Sequence, residues 1–142
     1  MYTYAVKQVV KIVDGDTVDV LIDLGFELTK KERVRIAGID TPEKRTTNEL
    51  EKRLGKEASN FAEVWFSQPG QIIVKTEKDE KYGRMLGYFY RGEESYSELA
   101  IAQGYAWVYD GGNKQKDFQV LLSKRNEALI STYNIAPDSP SG

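Results

Sequence analysis

From Thr17 to Leu24 the chain alternates without a break. Val18, Val20, Ile22 and Leu24 fall on one face, and Thr17, Asp19, Leu21 and Asp23 on the other. A period of two marks a half-buried strand. Residues 4–13 read as a strand before it, and Asp14-Gly15-Asp16 as the turn joining the two into a hairpin or meander. Gly25 ends the second strand, and 26–32 read as a charged connection. Arg33 to Ile39 is predicted as the third strand from its β-branched positions. Gly38 loosens its end, while Pro42 fixes its own φ and holds Thr41 extended.

Residues 44–55 are polar, charged and weakly patterned, which predicts a surface loop with a helical turn near 49–53. The period lengthens after that. Ala58, Phe61, Ala62, Trp65 and Phe66 follow a helical stripe, so 56–66 read as a helix stopped by Pro69-Gly70. A fourth strand is predicted over 71–77, a turn over 78–83 and a fifth strand over 84–91, with Tyr88 and Tyr90 opposite Met85 and Phe89. Ser97 is the expected N-cap of a short helix through Gln103, with Gly104 at its C′ position. Residues 105–109 read as irregular or short strand, 110–113 as a loop, and 115–131 as a final helix with Phe118, Leu121, Leu122, Ala128 and Leu129 inward. No repeat or linker divides the chain, so one domain is expected over 1–136, with a frayed tail at 137–142. Five short strands with interspersed helices predict a mainly β fold, a five-stranded OB-type β-barrel with three helices.

Composition narrows the chemistry. The 142 residues suit a single core. With 20 basic and 22 acidic residues the net charge is −2, so any polyanion must be gripped locally rather than by bulk charge. The chain has neither cysteine nor histidine. Disulfides, thiolate zinc sites, thiol nucleophiles, imidazole bases and histidine-bound metals are therefore excluded. Catalysis would fall to carboxylates, arginine, lysine, hydroxyls and a hard cation. No apolar run approaches ~18 residues, so no membrane span is expected. Met1 to Tyr4 leads straight into strand-like sequence and reads as no signal peptide. The compartment stays open between secreted, phage and cytoplasmic.

Against that background, a few residues carry chemistry. Asp14-Gly15-Asp16-Thr17 has two carboxylates at a glycine turn, a composition that turns use for their own reasons. It is not an EF-hand, because loop position six would be Asp19 and position twelve Gly25. Asp40, on a second loop, adds a carboxylate from a separate segment, as a hard cation requires. Arg35 and Arg84 are candidates for two guanidinium forks on one phosphate. By strand parity Arg35 and Asp40 face opposite ways; only a bend at Gly38 or at the strand end would bring them together. Glu43 is the best base for a water in a chain without histidine. Lys81 and Tyr82 are candidates to touch phosphate and sugar or base. Tyr105, Trp107 and Tyr109 read first as core and barrel-rim aromatics.

These pieces, in this order, resemble the thermonuclease family, of which staphylococcal nuclease is the type. The markers are Val-Asp-Gly-Asp-Thr at 13–17, Arg35 ahead of Asp40-Thr41-Pro42-Glu43, Lys-Tyr-Gly-Arg at 81–84 and Ala-Gln-Gly at 102–104. The resemblance implies a Ca²⁺-dependent endonuclease that hydrolyses DNA and RNA and leaves 3′-phosphate ends. It implies Asp16, Asp40 and the Thr41 carbonyl as Ca²⁺ ligands, Arg35 and Arg84 as phosphate clamps and Glu43 as general base. Lys81, Tyr82 and Tyr109 become substrate contacts. The expected partners are DNA and RNA, with no membrane, no cofactor besides the metal and a monomeric chain. The chain departs from the family in its 44–55 loop, in Ala136 where a tryptophan is expected, and in its acidic balance. The alternative is a non-catalytic OB-fold module that binds nucleic acid or serves as a scaffold.

Overall fold

The computed structural model describes residues 1–78, 85–114 and 116–133. Its first three strands, β1 (Tyr2–Asp14), β2 (Thr17–Gly25) and β3 (Leu28–Ile36), form an antiparallel meander. The alternation in β2 sets its facing: Val18, Val20 and Ile22 are buried in the core. Leu24 falls beyond the core and is exposed. The charged segment 26–32 is mostly strand rather than connection. Phe26 and Glu27 alone make the turn, with φ of 55° and 63°. Two positive φ values suit a tight right-twisted hairpin, but neither residue type announces one, so the turn was not legible in the sequence.

The expected third strand is also interrupted. β3 stops at Ile36, and Ile39–Asp40 forms a separate short strand, β4. Gly38 makes the break with φ 84°, a conformation open to glycine. Next comes α1 (Glu49–Ser67), which starts seven residues before the predicted helix and absorbs much of the expected loop. The Asn48 side chain caps it by accepting from the Glu51 amide at 2.9 Å. Its predicted stripe holds, with Ala58, Ala62, Trp65 and Phe66 buried.

Two long strands follow, β5 (Ile72–Lys78) and β6 (Met85–Arg91), then the two-residue β7 (Glu94–Ser95). α2 (Tyr96–Ala102) is capped by Ser95, whose hydroxyl accepts from the Glu98 amide at 3.2 Å, and not by Ser97. β8 (Trp107–Val108) pairs antiparallel with β4. α3 runs Phe118–Tyr133, shifted from the expected 115–131. Leu121 is buried on α3, whereas Leu129, expected inward, is exposed. The predicted tail at 137–142 and the turn before β6 lie outside the described residues.

The main sheet is ordered β3-β2-β1-β5-β6-β7, and parallel pairing of β3 with β6 closes five of these strands into a barrel. Val18, Val20, Ile22, Val34, Ile36, Val74 and Phe89 fill it, and Ala62, Trp65 and Phe66 of α1 and Tyr96 of α2 join the same core. A smaller cluster of Leu54, Trp107 and Leu121 joins α1, β8 and α3. This is the five-stranded OB-type barrel with three helices. No helix among the described residues is long and apolar enough to cross a membrane.

Candidate active site

Asp16 leaves the turn between β1 and β2, and Arg35 stands one residue before the end of β3. β2 and β3 pair with Thr17 opposite Arg35, so the two neighbour each other across the sheet. The Ile36 amide donates to the Asp16 carbonyl at 2.8 Å, which fixes the turn on the strand end. The Arg35 guanidinium donates to the carbonyls of Ile36 at 2.8 Å and Ile39 at 3.0 Å. With its side chain held on two backbone acceptors, one nitrogen rests 3.6 Å from Asp16 Oδ2 and 3.8 Å from Asp40 Oδ1. Parity alone sets Arg35 and Asp40 on opposite faces; the Gly38 break reverses that.

Asp16 Oδ2 also accepts from the Thr41 amide at 3.2 Å, and Thr17 Oγ1 donates to Asp16 Oδ1 at 3.1 Å. Thus the first acidic turn and the loop after β4 are tied together through one carboxylate. Asp14, Asp16, Thr17, Arg35, Asp40, Thr41, Pro42, Glu43 and Lys114 line one polar cavity of about 210 Å³. Tyr109 borders the same site, with the Arg35 Cζ 6.0 Å from its ring centre. Of the predicted site residues, Asp16, Arg35, Asp40, Thr41, Glu43 and Tyr109 are therefore gathered. Lys81, Tyr82 and Arg84 lie outside the described residues.

The electrostatics separate the acids. Burial pushes the Asp14 carboxyl up to about 7, aided by its hydrogen bond to Asp16 and that neighbour's charge, and opposed by Lys44. Asp16 goes the other way. Burial would raise it, but the hydrogen bond with Asp14, the Arg35 charge and the Thr41 contacts outweigh that and hold it below the usual carboxylate range. Asp40 is buried, and its Oδ2 has no hydrogen-bond partner among the described residues.

Second-layer contacts set the loops. The Tyr96 hydroxyl donates to the Gly15 carbonyl at 2.6 Å, and Ser97 Oγ donates to the Ala37 carbonyl at 2.7 Å. The first residues of α2 thus hold both acid-bearing segments. The Glu43 amide donates to Glu51 Oε2 at 3.2 Å, and Lys116 Nζ balances the same oxygen at 3.3 Å. A Cβ at Gly55 would sit 2.6 Å from the Glu43 carbonyl oxygen, so α1 packs directly against the loop that carries Glu43.

A profile described as "Staphylococcal nuclease homologue" matches residues 33–135. This chain belongs to the staphylococcal nuclease family. It is 34% identical over 101 residues to a thermonuclease of Staphylococcus hyicus, covering 70% of this chain and 56% of that protein. A thermonuclease of Staphylococcus intermedius is 35% identical over 105 residues, covering 73% and 58%. A micrococcal nuclease of Shigella flexneri is 32% identical over 124 residues, covering 80% and 63%. The chain spans a little over half the length of the two thermonucleases.

Within this family member, several residues escaped sequence reasoning. Lys114, from the loop after β8, brings Nζ to 3.3 Å from Asp40 Oδ1 and 5.7 Å from the Tyr109 ring centre. Nothing in a Gly-Gly-Asn-Lys loop signals that placement. Glu51 and Gly55 were hidden inside a segment read as loop. Asp14 was visible as a carboxylate, but its titration follows from burial. Among the described residues no group of three or more His, Cys, Asp or Glu side chains is gathered in metal-holding geometry.

Proposed function

We propose that this chain is a nuclease: a metal-dependent phosphodiesterase that takes Ca²⁺, hydrolyses DNA and RNA as a monomer and leaves 3′-phosphate ends. The observation that carries this reading is the convergence of Asp16, Asp40 and Arg35 on one polar cavity from three separate segments. The donor set suits a hard cation. Asp40 Oδ2 is a buried acceptor with no partner among the described residues, and a buried unpartnered carboxylate oxygen is costly without a cation. Asp16, Asp40 and the Thr41 carbonyl would hold Ca²⁺, with waters completing the oxygen shell. When bound, the ion supplies Lewis acidity to a phosphate oxygen and a template for its position.

The protein's own groups do the rest. Arg35, anchored on the Ile36 and Ile39 carbonyls, presents its outer edge to the phosphate and favours the extra charge of the crowded transition state. Arg84 is the second guanidinium and helps the leaving oxygen. Glu43 is exposed, with its backbone pinned by Glu51, so its carboxylate is free to accept a proton from the attacking water. Water oxygen bonds to phosphorus as the bond to the 5′ oxygen breaks; that oxygen leaves with the electron pair and takes a proton from solvent, to which Glu43 returns the one it accepted. Lys81, Tyr82 and Tyr109 contact the neighbouring nucleotide.

The test is digestion of plasmid and single-stranded DNA with Ca²⁺ and then with chelator. Cleavage that chelator abolishes is the expected result. Arg35→Ala, Arg84→Ala and Glu43→Ala are each expected to lose most activity while still folded by circular dichroism. Their losses should be strongly non-additive, because one displaced phosphate disables every partner. Near-normal turnover in any one removes that residue from the mechanism. Binding without cleavage under all conditions would return the chain to the OB-fold binding class.

A further inference from the structure

The outer face of the first three strands continues directly from the site. Pairing places Arg35 opposite Thr17, then Arg33 opposite Asp19, then Lys31 opposite Leu21. On the other side of β2, Lys11 lies opposite Asp19. Arg35, Arg33 and Lys31 are thus successive same-face positions on one strand, about 6.6–6.8 Å apart. That spacing is close to that of successive phosphates along an extended single strand.

Arg33 is held as well as placed. Its Nε and Nη2 donate to Asp19 Oδ1 at 2.8 Å and Oδ2 at 3.0 Å, while its side chain stays 55% exposed. Two of its five N–H donors are used, and the remaining three have no partner among the described residues. Asp19, beneath it, is buried and held below the usual carboxylate range first by that hydrogen bond, with Lys31 and Lys11 adding charge. On these two rows three cations therefore face one carboxylate, in a chain whose net charge is −2. The next row, Asp23 opposite Thr29, brings back an acid and ends the track.

We propose that this face, built on Arg33, Lys31 and Lys11, is a docking track for the sugar–phosphate backbone of a single-stranded nucleic acid that extends two phosphates beyond the one at Arg35. It rests on the nuclease reading only for where the strand begins. No aromatic ring stands on these rows, so the track reads backbone charge and not base identity. A duplex would present both backbones at fixed separation, whereas the β3 row of Arg35, Arg33 and Lys31 at single-strand spacing, flanked by Lys11 across Asp19, matches one extended backbone.

The experiment is fluorescence anisotropy of labelled dinucleotide and twelve-nucleotide DNA strands on the full chain, in chelator, across a salt series. Lys11→Gln with Lys31→Gln leaves the Asp19–Arg33 pair intact, which guards the fold; Arg33→Gln with Asp19→Asn removes that pair as a unit. Lys11→Gln with Lys31→Gln is expected to weaken the long strand about 5- to 10-fold more than the dinucleotide at low salt, and Arg33→Gln with Asp19→Asn, which removes no net charge, by a smaller length-dependent factor of about 2 to 3. For Lys11→Gln with Lys31→Gln, the slope of log affinity against log salt should become shallower by up to ~1.4. Equal loss on both lengths, or no loss on either, would overturn the track. So would a twelve-base-pair duplex that binds as tightly and is weakened as much. If wild type binds strands in this manner but cleaves none with Ca²⁺, the track stands and the nuclease reading falls. If it cleaves but shows no length-dependent loss, the reverse holds.

Discussion

Asp14 and Asp16 lie two residues apart on one turn, yet their environments drive their protonation in opposite directions. Folding raises Asp14 from 3.8 to about 7, so the folded protein holds a proton that the unfolded chain has lost between those values. Stability from this group is complete below about pH 4 and declines as pH rises through 7. Asp16 is lowered, so its own contribution is present above about pH 4 and is lost only further down. The windows do not overlap. In chelator, wild type should therefore lose ~1–2 kcal/mol relative to Asp14→Asn between pH 5 and 8, after allowing for solvent screening of a partly open carboxyl. Paired thermal melts at the two pH values check this; parallel shifts in both proteins would show that Asp14 does not titrate there. Lys114 poses a separate question at the same scale. Its ammonium occupies a contact with Asp40 that a divalent cation would take, and it extends from a loop with its side chain 43% exposed. Lys114→Met should bind terbium, used as a luminescent calcium probe, about tenfold more tightly in the absence of nucleotide, because no tethered cation then competes. Unchanged or weaker terbium affinity would remove Lys114 from that role.

At the scale of elements, the site depends on α1 and α2 more than its acids suggest. α2 donates through Tyr96 and Ser97 to the Gly15 and Ala37 carbonyls, and α1 packs Gly55 against the Glu43 backbone. Much of the candidate site's lining was legible in the sequence: Asp16, Asp40 and Glu43 stand in turn-forming sequence, and Arg35 follows a strand pattern. Their supports were not. Residues 44–55 are polar and weakly patterned, so they read as a surface loop with only a helical turn near 49–53, although the Asn48 cap and the Leu50 and Leu54 positions belong to a helix packing on Trp107 and Leu121. Likewise Ser97 suited an N-cap, but its hydroxyl serves another segment, a long-range contact that spacing cannot reveal. The Gly55 approach gives a direct test. Gly→Ala in an exposed helix would stabilise by about 1 kcal/mol. Here the added methyl meets the Glu43 carbonyl carbon and oxygen at 2.6 Å, and backbone cannot swing aside as a side chain can. Gly55→Ala is expected to cost ~1–3 kcal/mol in urea unfolding and to reduce cleavage by displacing Glu43. A variant that is more stable and equally active would show that the packing there is loose.

For the molecule as a whole, strand alternation and the five-strand count led directly to the barrel, because a period of two fixes which side chains can share a core. Closure was less legible: parallel pairing of β3 with β6 joins segments about 50 residues apart, and no local pattern encodes such a partner. Charge is the other whole-molecule property. A net charge of −2 gives little long-range attraction for a polyanion, so binding must come from the few cations that touch phosphate. In the proposed arrangement Arg35 and Arg84 share one phosphate, and Arg33, Lys31 and Lys11 on the adjoining strand face hold two more, about three in all. On a single strand each releases close to 0.7 counterion, so log affinity should fall with log salt at a slope of about −2 to −3. A strongly basic nuclease that grips many more phosphates would fall much more steeply. Anisotropy with a long single strand from 50 to 300 mM salt measures the slope. A value of −5 or steeper would mean that many additional phosphates are neutralised, and a handful of local contacts could not account for how this chain holds its polymer.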